Sequence, residues 1–265
     1  MDDRTRFTES LRETLRGFVG SEQYRAHYPA QRIYPDFDPA LIQEMAFLSF
    51  EMDESHFLRH TEKMLAACID LEQFLVQAIT GAAAILGEWW AGDRISYRVV
   101  ELGSDRLLDL VYEIADQRLK LNIMPTLPHK IVLSSPQHSK HSLGLAVMGE
   151  IFHWHGWNVM AGPSIQHEKL PELVQVEWVD VLGLSLADDR DLRAITELIA
   201  QCRLLSRNRH LWVMVGGPQA FLRPQLAAEV GADASCTHAS QAQVMALSRV
   251  RLQQQSLMRA TENRG

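Results

Sequence analysis

Cysteine is scarce in this 265-residue sequence, and the three that occur, Cys68, Cys202 and Cys236, lie far apart. No two of them have C-x-x-C spacing. An odd and widely spaced set fits a reducing compartment better than a disulfide framework. We therefore expect a cytoplasmic protein.

Long apolar runs and an excess of basic residues are also missing. No run of 18 apolar residues occurs, which predicts no membrane-spanning segment, and the stretch MDDRTRFTES has no apolar core of a secretory signal. With 26 Lys and Arg against 33 Asp and Glu, the net charge is −7 at pH 7. This balance argues against a broad nucleic-acid-binding surface, so we expect neither membrane binding nor direct nucleic-acid binding.

The hydrophobic pattern changes near the middle of the sequence. Residues 39–119 contain few helix breakers, and their apolar residues recur at helical spacing, which predicts a four- or five-helix bundle. The prolines of KLNIMPTLPHK predict a linker at 120–129. We interpret residues 1–38 as an N-terminal extension with one short amphipathic helix, and residues 253–265 as a polar tail that frays.

From residue 130 to 252, short apolar runs alternate with helical patterns. This alternation predicts a doubly wound, five-stranded parallel sheet of the Rossmann-like kind, whose ligands bind beyond the carboxyl ends of the strands. The predicted strands are Ile131–Leu133, Asn158–Ala161, Val179–Leu184, Leu211–Val215 and Ala232–Cys236. The predicted helical tracts are 142–155, 167–176, 189–204, 218–229 and 239–252.

Residues able to bind a ligand follow four of these strands. The first loop offers a histidine that can bind a transition metal, and the glycines of the fourth loop leave room for a bulky group against the backbone. The candidate residues are Ser139, His141 and Gly144 after the first strand, Ser185 and Leu186 at the third, Gly216 and Gly217 at the fourth, and Thr237 after the fifth.

In their order, these segments resemble the cobalamin-binding domain of the methionine synthase type, whose hallmarks are D-x-H-x-x-G, S-x-L and G-G. The resemblance implies that His141 coordinates cobalt from below. It also implies that four residues line the slot for the displaced dimethylbenzimidazole tail, namely Gly144, Ser185, Gly216 and Gly217. Ser139, Leu186 and Thr237 are further candidates for cofactor binding.

The first half resembles the helical cap that precedes this domain in the same family. Leu86-Gly87-Glu88-Trp89-Trp90 is similar to the end of a cap helix, which implies that Trp89 and Trp90 cover the upper face of the cofactor. From the residues alone, tryptophans at a helix end in a bundle are more often core aromatics than part of a ligand site.

Two departures from the family pattern bear on function. Ser139 stands where the family has the Asp that hydrogen-bonds the ligand histidine, and a serine raises the basicity of the ligand only weakly. The cap also lacks the W-x9-E-H motif of light-sensing repressors of the CarH kind, since Val100-Glu101 occupies its place.

A cap and cobalamin domain with a degraded D-x-H-x-x-G looks most like the antirepressors of the AerR/PpaA kind. This resemblance implies a light or redox sensor, not an enzyme, that binds adenosylcobalamin or hydroxocobalamin and a transcriptional repressor of the CrtJ/PpsR type. Two alternatives remain open, a corrinoid carrier for a methyltransferase and a heme sensor on the same fold. For iron or, less favourably, zinc, the possible histidine ligands are His138, His141, His153 and His155.

Overall fold

The computed structural model describes residues 2–20, 35–136, 142–161 and 165–262, without the side chains of residues 19–20 and 257–262. The chain divides into two compact units, Met1–Met124 and Pro125–Gly265. The boundary between them lies within the stretch that the prolines of the sequence predict as a linker.

The first unit is helical in its described residues. Aspartate side chains cap three of its helices, because Asp38, Asp53 and Asp70 each accept a hydrogen bond from a backbone N–H of the first turn. The helices are α1 (Asp3–Gly20), α2 (Pro39–Leu48), α3 (Glu54–Ala67), α4 (Leu71–Gln73), α5 (Thr80–Ala91) and α6 (Tyr97–Lys120), with a π-helical stretch, Phe74–Ile79, between α4 and α5.

Helix α1 is part of the core of this unit. It packs on α3 and α6, and Phe7, Leu11 and Leu15 on its inner face are buried. The amphipathic helix predicted near the N-terminus is therefore present, and it packs as a member of the bundle. The sequence interpretation had placed it in a separate extension.

The continuous helical run Leu71–Ala91 is long and apolar enough to cross a membrane by length and composition, the one such run among the described residues. Core helices of compact domains pass the same test. In this run 33% of the apolar window is buried inside the unit, Leu75, Ile79 and Leu86 completely.

The second unit is built on the predicted sheet, and the prediction is confirmed. Five parallel strands lie in the order β2-β1-β3-β4-β5, each within two residues of its predicted bounds. They are β1 (Lys130–Ser134), β2 (Asn158–Met160), β3 (Val181–Ser185), β4 (Trp212–Gly216) and β5 (Ala234–Ser235). The helices are α7 (Ser142–Trp154), α8 (Leu170–Val176), α9 (Leu192–Leu205), α10 (Pro218–Leu222), α11 (Leu226–Val230) and α12 (Ala239–Glu262), with 3-10 turns at His167–Lys169 and Asp189–Asp191.

The strand register separates two faces of this sheet. Val132, Leu182 and Val213 are register partners, and they share one apolar core with residues of α8, α9 and α11. Helix α12 packs on α7 and β4. On the face of Leu133, Gly183 takes the place of a side chain, because a β-carbon there would lie 2.6 Å from the Leu133 Cδ2 atom.

Two predicted helices differ from the observed ones. The tract 218–229 is two short helices, since Pro224 follows the end of α10 and lacks the N–H that would continue it. The last helix continues to Glu262 through residues interpreted as a fraying tail. Its Gln, Leu, Met and Arg residues have good helix propensity.

Candidate functional site

The sheet has its topological switch point beside β1, because β2 and β3 lie on opposite sides of that strand. In open α/β sheets, ligands bind at this point, beyond the carboxyl ends of the strands. Ser139 and His141, and with them His138, belong to residues 137–141, which lie outside the described residues. The assignment of His141 as the lower ligand therefore stays a prediction.

The third and fourth strands bring two pairs of candidate residues together. Ser185 and Gly216 are register partners. The backbone N–H of Leu186 donates to the Gly216 carbonyl oxygen at 2.8 Å. Ser185, Leu186, Gly216 and Gly217 consequently form one continuous edge.

Gly217 is the residue that closes this edge. Its φ is +88° and its ψ −174°, a backbone conformation that is essentially restricted to glycine. A β-carbon here would lie 2.7 Å from both the Ser185 hydroxyl oxygen and the Leu186 carbonyl oxygen. The two loops therefore meet backbone to backbone, which leaves the edge free of bulky side chains.

The loop after the fifth strand joins the same edge. The Cys236 N–H donates to the Val215 carbonyl oxygen at 2.9 Å, and a β-carbon at Gly216 would lie 3.1 Å from the Cys236 carbonyl oxygen. Thr237 follows directly, is half-buried, and has its hydroxyl 2.8 Å from Nδ1 of His238. The structure thus places Thr237 beside the glycine pair.

Gly144 lies in the first turn of α7 and is exposed. No described atom lies within 4 Å of the β-carbon that a larger residue would add there. Gly149, one turn further along α7, instead packs on the edge strand, because its β-carbon would be 3.5 Å from that of Ala161. The close packing of α7 on the sheet therefore occurs at Gly149, and the described residues leave the space at Gly144 open.

A buried amide that the sequence interpretation missed lies on α12. Gln243 is 2% exposed, and its Nε2 makes no hydrogen bond within the part of the chain that the structure describes. It lies among the buried stripe of α12 with Ala242 and Ala246, and α12 packs on β4. The helical spacing of Ala242, Ala246 and Val250 predicts which face of α12 is buried. Gln243 lies beside that face, so the spacing could have predicted its burial.

A buried serine–histidine pair fixes the end of β1. The Ser134 hydroxyl oxygen lies 2.9 Å from Nδ1 of His167 and 3.2 Å from the Ile165 carbonyl oxygen. The contact ties the strand that precedes residues 137–141 to the segment before α8. No sequence pattern joins these residues, which are 33 positions apart.

Trp89 and Trp90 end helix α5 in the first unit. Trp89 makes an edge contact with Phe50, with ring centroids 6.4 Å apart, and Trp90 makes one with Tyr97 at 5.8 Å. Trp89 is partly buried and Trp90 is half exposed. Their role over a cofactor stays a prediction.

The thiols offer no nucleophile for chemistry. Burial raises the pKa of Cys202 to about 12 and that of Cys236 to about 11, and burial with the nearby Asp70 carboxylate raises the pKa of Cys68 to about 12. At neutral pH the thiols are protonated and weakly reactive. Within the described ranges, no three His, Cys, Asp or Glu side chains form a group that could hold a metal ion, and His153 and His155 join none.

Comparison with known proteins identifies the second unit's relatives. Residues 129–247 match the family model of the B12 binding domain. The matched range includes the whole sheet, the edge formed by Ser185 to Gly217, and Gln243. This match supports cobalamin as the ligand of the second unit, in agreement with the resemblance seen in the sequence. A search of curated proteins found no match.

Solved structures similar to this chain include a corrinoid protein. The chain is 14% identical to the monomethylamine corrinoid protein of Methanosarcina barkeri, with a TM-score of 0.62 over 79% of this chain and 98% of that one. A cobalamin-binding protein from Desulfitobacterium hafniense DCB-2 is 20% identical, with a TM-score of 0.41 over 80% and 97%. The methanol:cobalamin methyltransferase complex of Methanosarcina barkeri is 15% identical, with a TM-score of 0.39 over 89% and 91%. The first of these likenesses supports the fold.

The described residues fit such a ligand. At Gly216 and Gly217 the space of a β-carbon is already taken by Cys236, Ser185 and Leu186, so these glycines let the loops pack closely and add no side chain of their own to the edge. The buried Gln243 amide has a hydrogen-bond donor without a described partner. Buried polar groups of this kind usually have a partner.

Proposed function

We propose that this protein is a cobalamin-binding light or redox sensor that regulates transcription by binding a repressor protein. The match of residues 129–247 to the B12 binding domain carries the cobalamin part of this proposal. The sensing and the partner, a repressor of the CrtJ/PpsR type, rest on the resemblance of the sequence to antirepressors of the AerR/PpaA kind. The protein would act in the cytoplasm.

Different residues of the second unit would bind different parts of the cofactor. His141 would provide a neutral imidazole to hold cobalt, and Ser139, in the place of the family's Asp, would raise the basicity of that imidazole only weakly. The glycine edge at Gly216 and Gly217 admits the nucleotide tail, with Ser185 beside it. Adenosylcobalamin supplies, when bound, a cobalt–carbon bond that light can break.

A corrinoid carrier for a methyltransferase is the alternative function. Ser139 argues against it, because a carboxylate hydrogen-bonded to a metal-binding histidine raises the basicity of that ligand, and a serine does so only weakly. A carrier needs the cobalt–histidine bond to be adjusted through its cycle. The fold shared with the monomethylamine corrinoid protein fits the carrier and the sensor equally.

Absorption spectra of the purified full chain distinguish these functions. The sensor predicts that adenosylcobalamin is retained in the dark, that white light changes its spectrum, and that light changes the affinity for a purified repressor of the CrtJ/PpsR type. Retention of methylcobalamin without any effect of light on that affinity would favour the carrier. Retention of hemin in place of cobalamin, with a Soret band lost in His141→Ala, would favour the heme sensor.

A further inference from the structure

The amino-terminal edge of the sheet, opposite the candidate site, carries an exposed apolar patch. Its four residues, which we term the basal patch, are Val176 (66% exposed), Trp178 (48%), Leu204 (73%) and Leu205 (40%). Val176 ends α8, while Leu204 and Leu205 end α9. Clustered exposed side chains of this size mark interaction sites, whereas single ones carry no such meaning.

Backbone contacts hold the two helix ends together. Helices α8 and α9 pack against each other, and the Arg207 N–H donates to the Val174 carbonyl oxygen at 2.9 Å. The chain leaving α9 therefore passes directly over the end of α8. The exposed apolar residues of both helix ends therefore lie at the same edge of the sheet.

A hydrogen bond fixes the side chain of Trp178 in the unbound protein. Its indole N–H donates to Oδ1 of Asp180 at 3.0 Å, and Oδ2 of the same carboxylate accepts the backbone N–H of Lys130 at 2.8 Å. The indole is thus fixed to the start of β1, with about half of its surface exposed. A preordered aromatic ring loses little conformational entropy on binding, and tryptophan is enriched among residues that dominate interface energies.

Two arginines border the basal patch. The Arg209 guanidinium donates to the Leu204 carbonyl oxygen at 3.1 Å, and the Arg207 guanidinium donates to the Val176 carbonyl oxygen at 3.5 Å. Both side chains are exposed. Cations are stabilised at helix carboxyl ends by the helix dipole. Two exposed cations therefore border the patch, on a chain whose net charge is −7.

The neighbouring carboxylates offset the charge of these cations only in part. Lys130, hydrogen-bonded and ion-paired to Glu177 at 2.7 Å, lowers the pKa of that carboxyl, and Arg207 lowers it further. With Asp180 as the second carboxylate, the cations Lys130, Arg207 and Arg209 outnumber the acidic groups by one. If a second copy of the chain bound through the same patch across a two-fold axis, the arginines of the two copies would face and repel each other. Charge complementarity instead favours a partner that presents carboxylates around an apolar stripe.

We infer that the basal patch binds an acidic amphipathic helix of a partner protein. The apolar stripe of that helix packs on Trp178 and the two leucines, and its carboxylates pair with Arg207 and Arg209. The surface lies at the other edge of the sheet from the candidate site. The inference needs no cofactor, so its failure would leave the proposed function untouched.

Titration of the full chain with two synthetic helical peptides tests this inference. One peptide has leucines at i, i+4, i+7 and i+11 with glutamate elsewhere, and the other replaces every glutamate with lysine. The readout is the indole Nε1–H resonance of Trp178, assigned with Trp178→Phe. We expect the acidic peptide to shift this resonance. Isothermal titration calorimetry, which also measures binding to variants that lack Trp178, should show that it binds at least tenfold more tightly than the basic one.

Three variants locate the contact. The double change Arg207→Glu with Arg209→Glu should reverse the peptide preference, and Trp178→Ser should weaken acidic-peptide binding about tenfold. Arg193→Glu, at the other end of α9 and 91% exposed, is the matched control and should change neither. Unchanged melting temperatures show that the variants fold.

Several results would overturn the inference. They are equal affinity for the two peptides, no binding of the acidic one, or acidic-peptide binding that survives Trp178→Ser. A shift of the Trp178 resonance caused by anionic lipid vesicles but not by the peptide would assign the patch to a membrane surface. A shift that follows protein concentration alone would assign it to a second copy.

Discussion

Gly217 and Ser185 are in such close contact that a β-carbon on the glycine would lie 2.7 Å from the serine hydroxyl oxygen. Two constraints act on Gly217, the near-absence of space and a φ of +88°. We predict that Gly217→Ala lowers the free energy of unfolding by roughly 2–3 kcal/mol and weakens cobalamin retention. Urea unfolding of the cofactor-free chain measures the first effect, and equilibrium dialysis measures the second.

Gly231 provides the matched control. Its φ is +75°, but no described atom lies within 4 Å of an added β-carbon. Gly231→Ala should therefore cost only the conformational strain, about 1 kcal/mol, and leave cofactor binding intact. Equal losses for the two variants would show that the contact with Ser185 has no energetic role.

Much of the second unit could be predicted because buried parallel strands appear in a sequence as short apolar runs. Ile131–Leu133 and Leu211–Val215 are such runs, and both are strands. The glycines after them indicated loops at one edge. The adjacency of Ser185 and Gly217 follows from this pattern, since the carboxyl ends of parallel strands meet at one edge.

Other features depend on tertiary packing that no local pattern carries. The Ser134–His167 contact joins a strand end to a polar turn that is 33 residues away. The extension of α12 to Glu262 was missed because a polar composition was interpreted as a tail, although those residues favour helix. The extra helix break at Pro224 could have been predicted, since proline lacks a backbone N–H.

The buried amide of Gln243 should lower the stability of the cofactor-free protein. Its Nε2 lacks a hydrogen-bond partner within the described part of the chain, and a buried donor without a partner costs about 1–3 kcal/mol. Gln243→Leu, of similar volume, should therefore raise the free energy of unfolding by about 1 kcal/mol. Gln241→Leu, on the exposed side of the same helix, should leave it unchanged. A loss of stability in Gln243→Leu would mean that the amide is hydrogen-bonded in solution.

The three thiols should be inert in the folded protein. Burial raises the pKa of Cys202 to about 12 and of Cys236 to about 11, and together with the Asp70 carboxylate raises that of Cys68 to about 12. At pH 8 the reaction of the buried Cys202 and Cys236 with a disulfide reagent should proceed only as fast as the protein unfolds. Partly exposed Cys68 should react slowly because its thiol stays protonated, and addition of urea should make all three react quickly. Rapid reaction of any thiol without urea would contradict this and would point to a redox input through cysteine.

His129 should make stability depend on pH. Burial lowers its pKa in the folded state, an effect that Arg251 adds to and the Asp180 carboxylate opposes. The unfolded chain therefore binds the proton more readily, so stability is complete above the ordinary histidine pKa near 6.5 and falls as pH drops below it.

Replacement of the ring isolates this effect. His129→Phe retains an aromatic ring against Trp157, whose centroid lies 5.5 Å away, and should flatten the decline in unfolding free energy between about pH 6.5 and pH 5. His210→Gln, at an exposed position, should leave that decline in place. An unaltered pH profile for His129→Phe would assign the decline to other groups.

The central claim is that the second unit binds cobalamin with His141 as a ligand. The most direct measurement is the absorption spectrum of the full chain desalted after incubation with adenosylcobalamin in the dark, beside His141→Ala and the control His210→Ala, an exposed histidine at the opposite edge of the sheet. The account predicts retention with a histidine-ligated spectrum in the wild type and the control. It predicts reduced retention, or the spectrum of cobalamin without a lower nitrogen ligand, in His141→Ala. Loss of all corrinoid from the wild type would contradict the claim, as would a His141→Ala spectrum equal to that of the wild type.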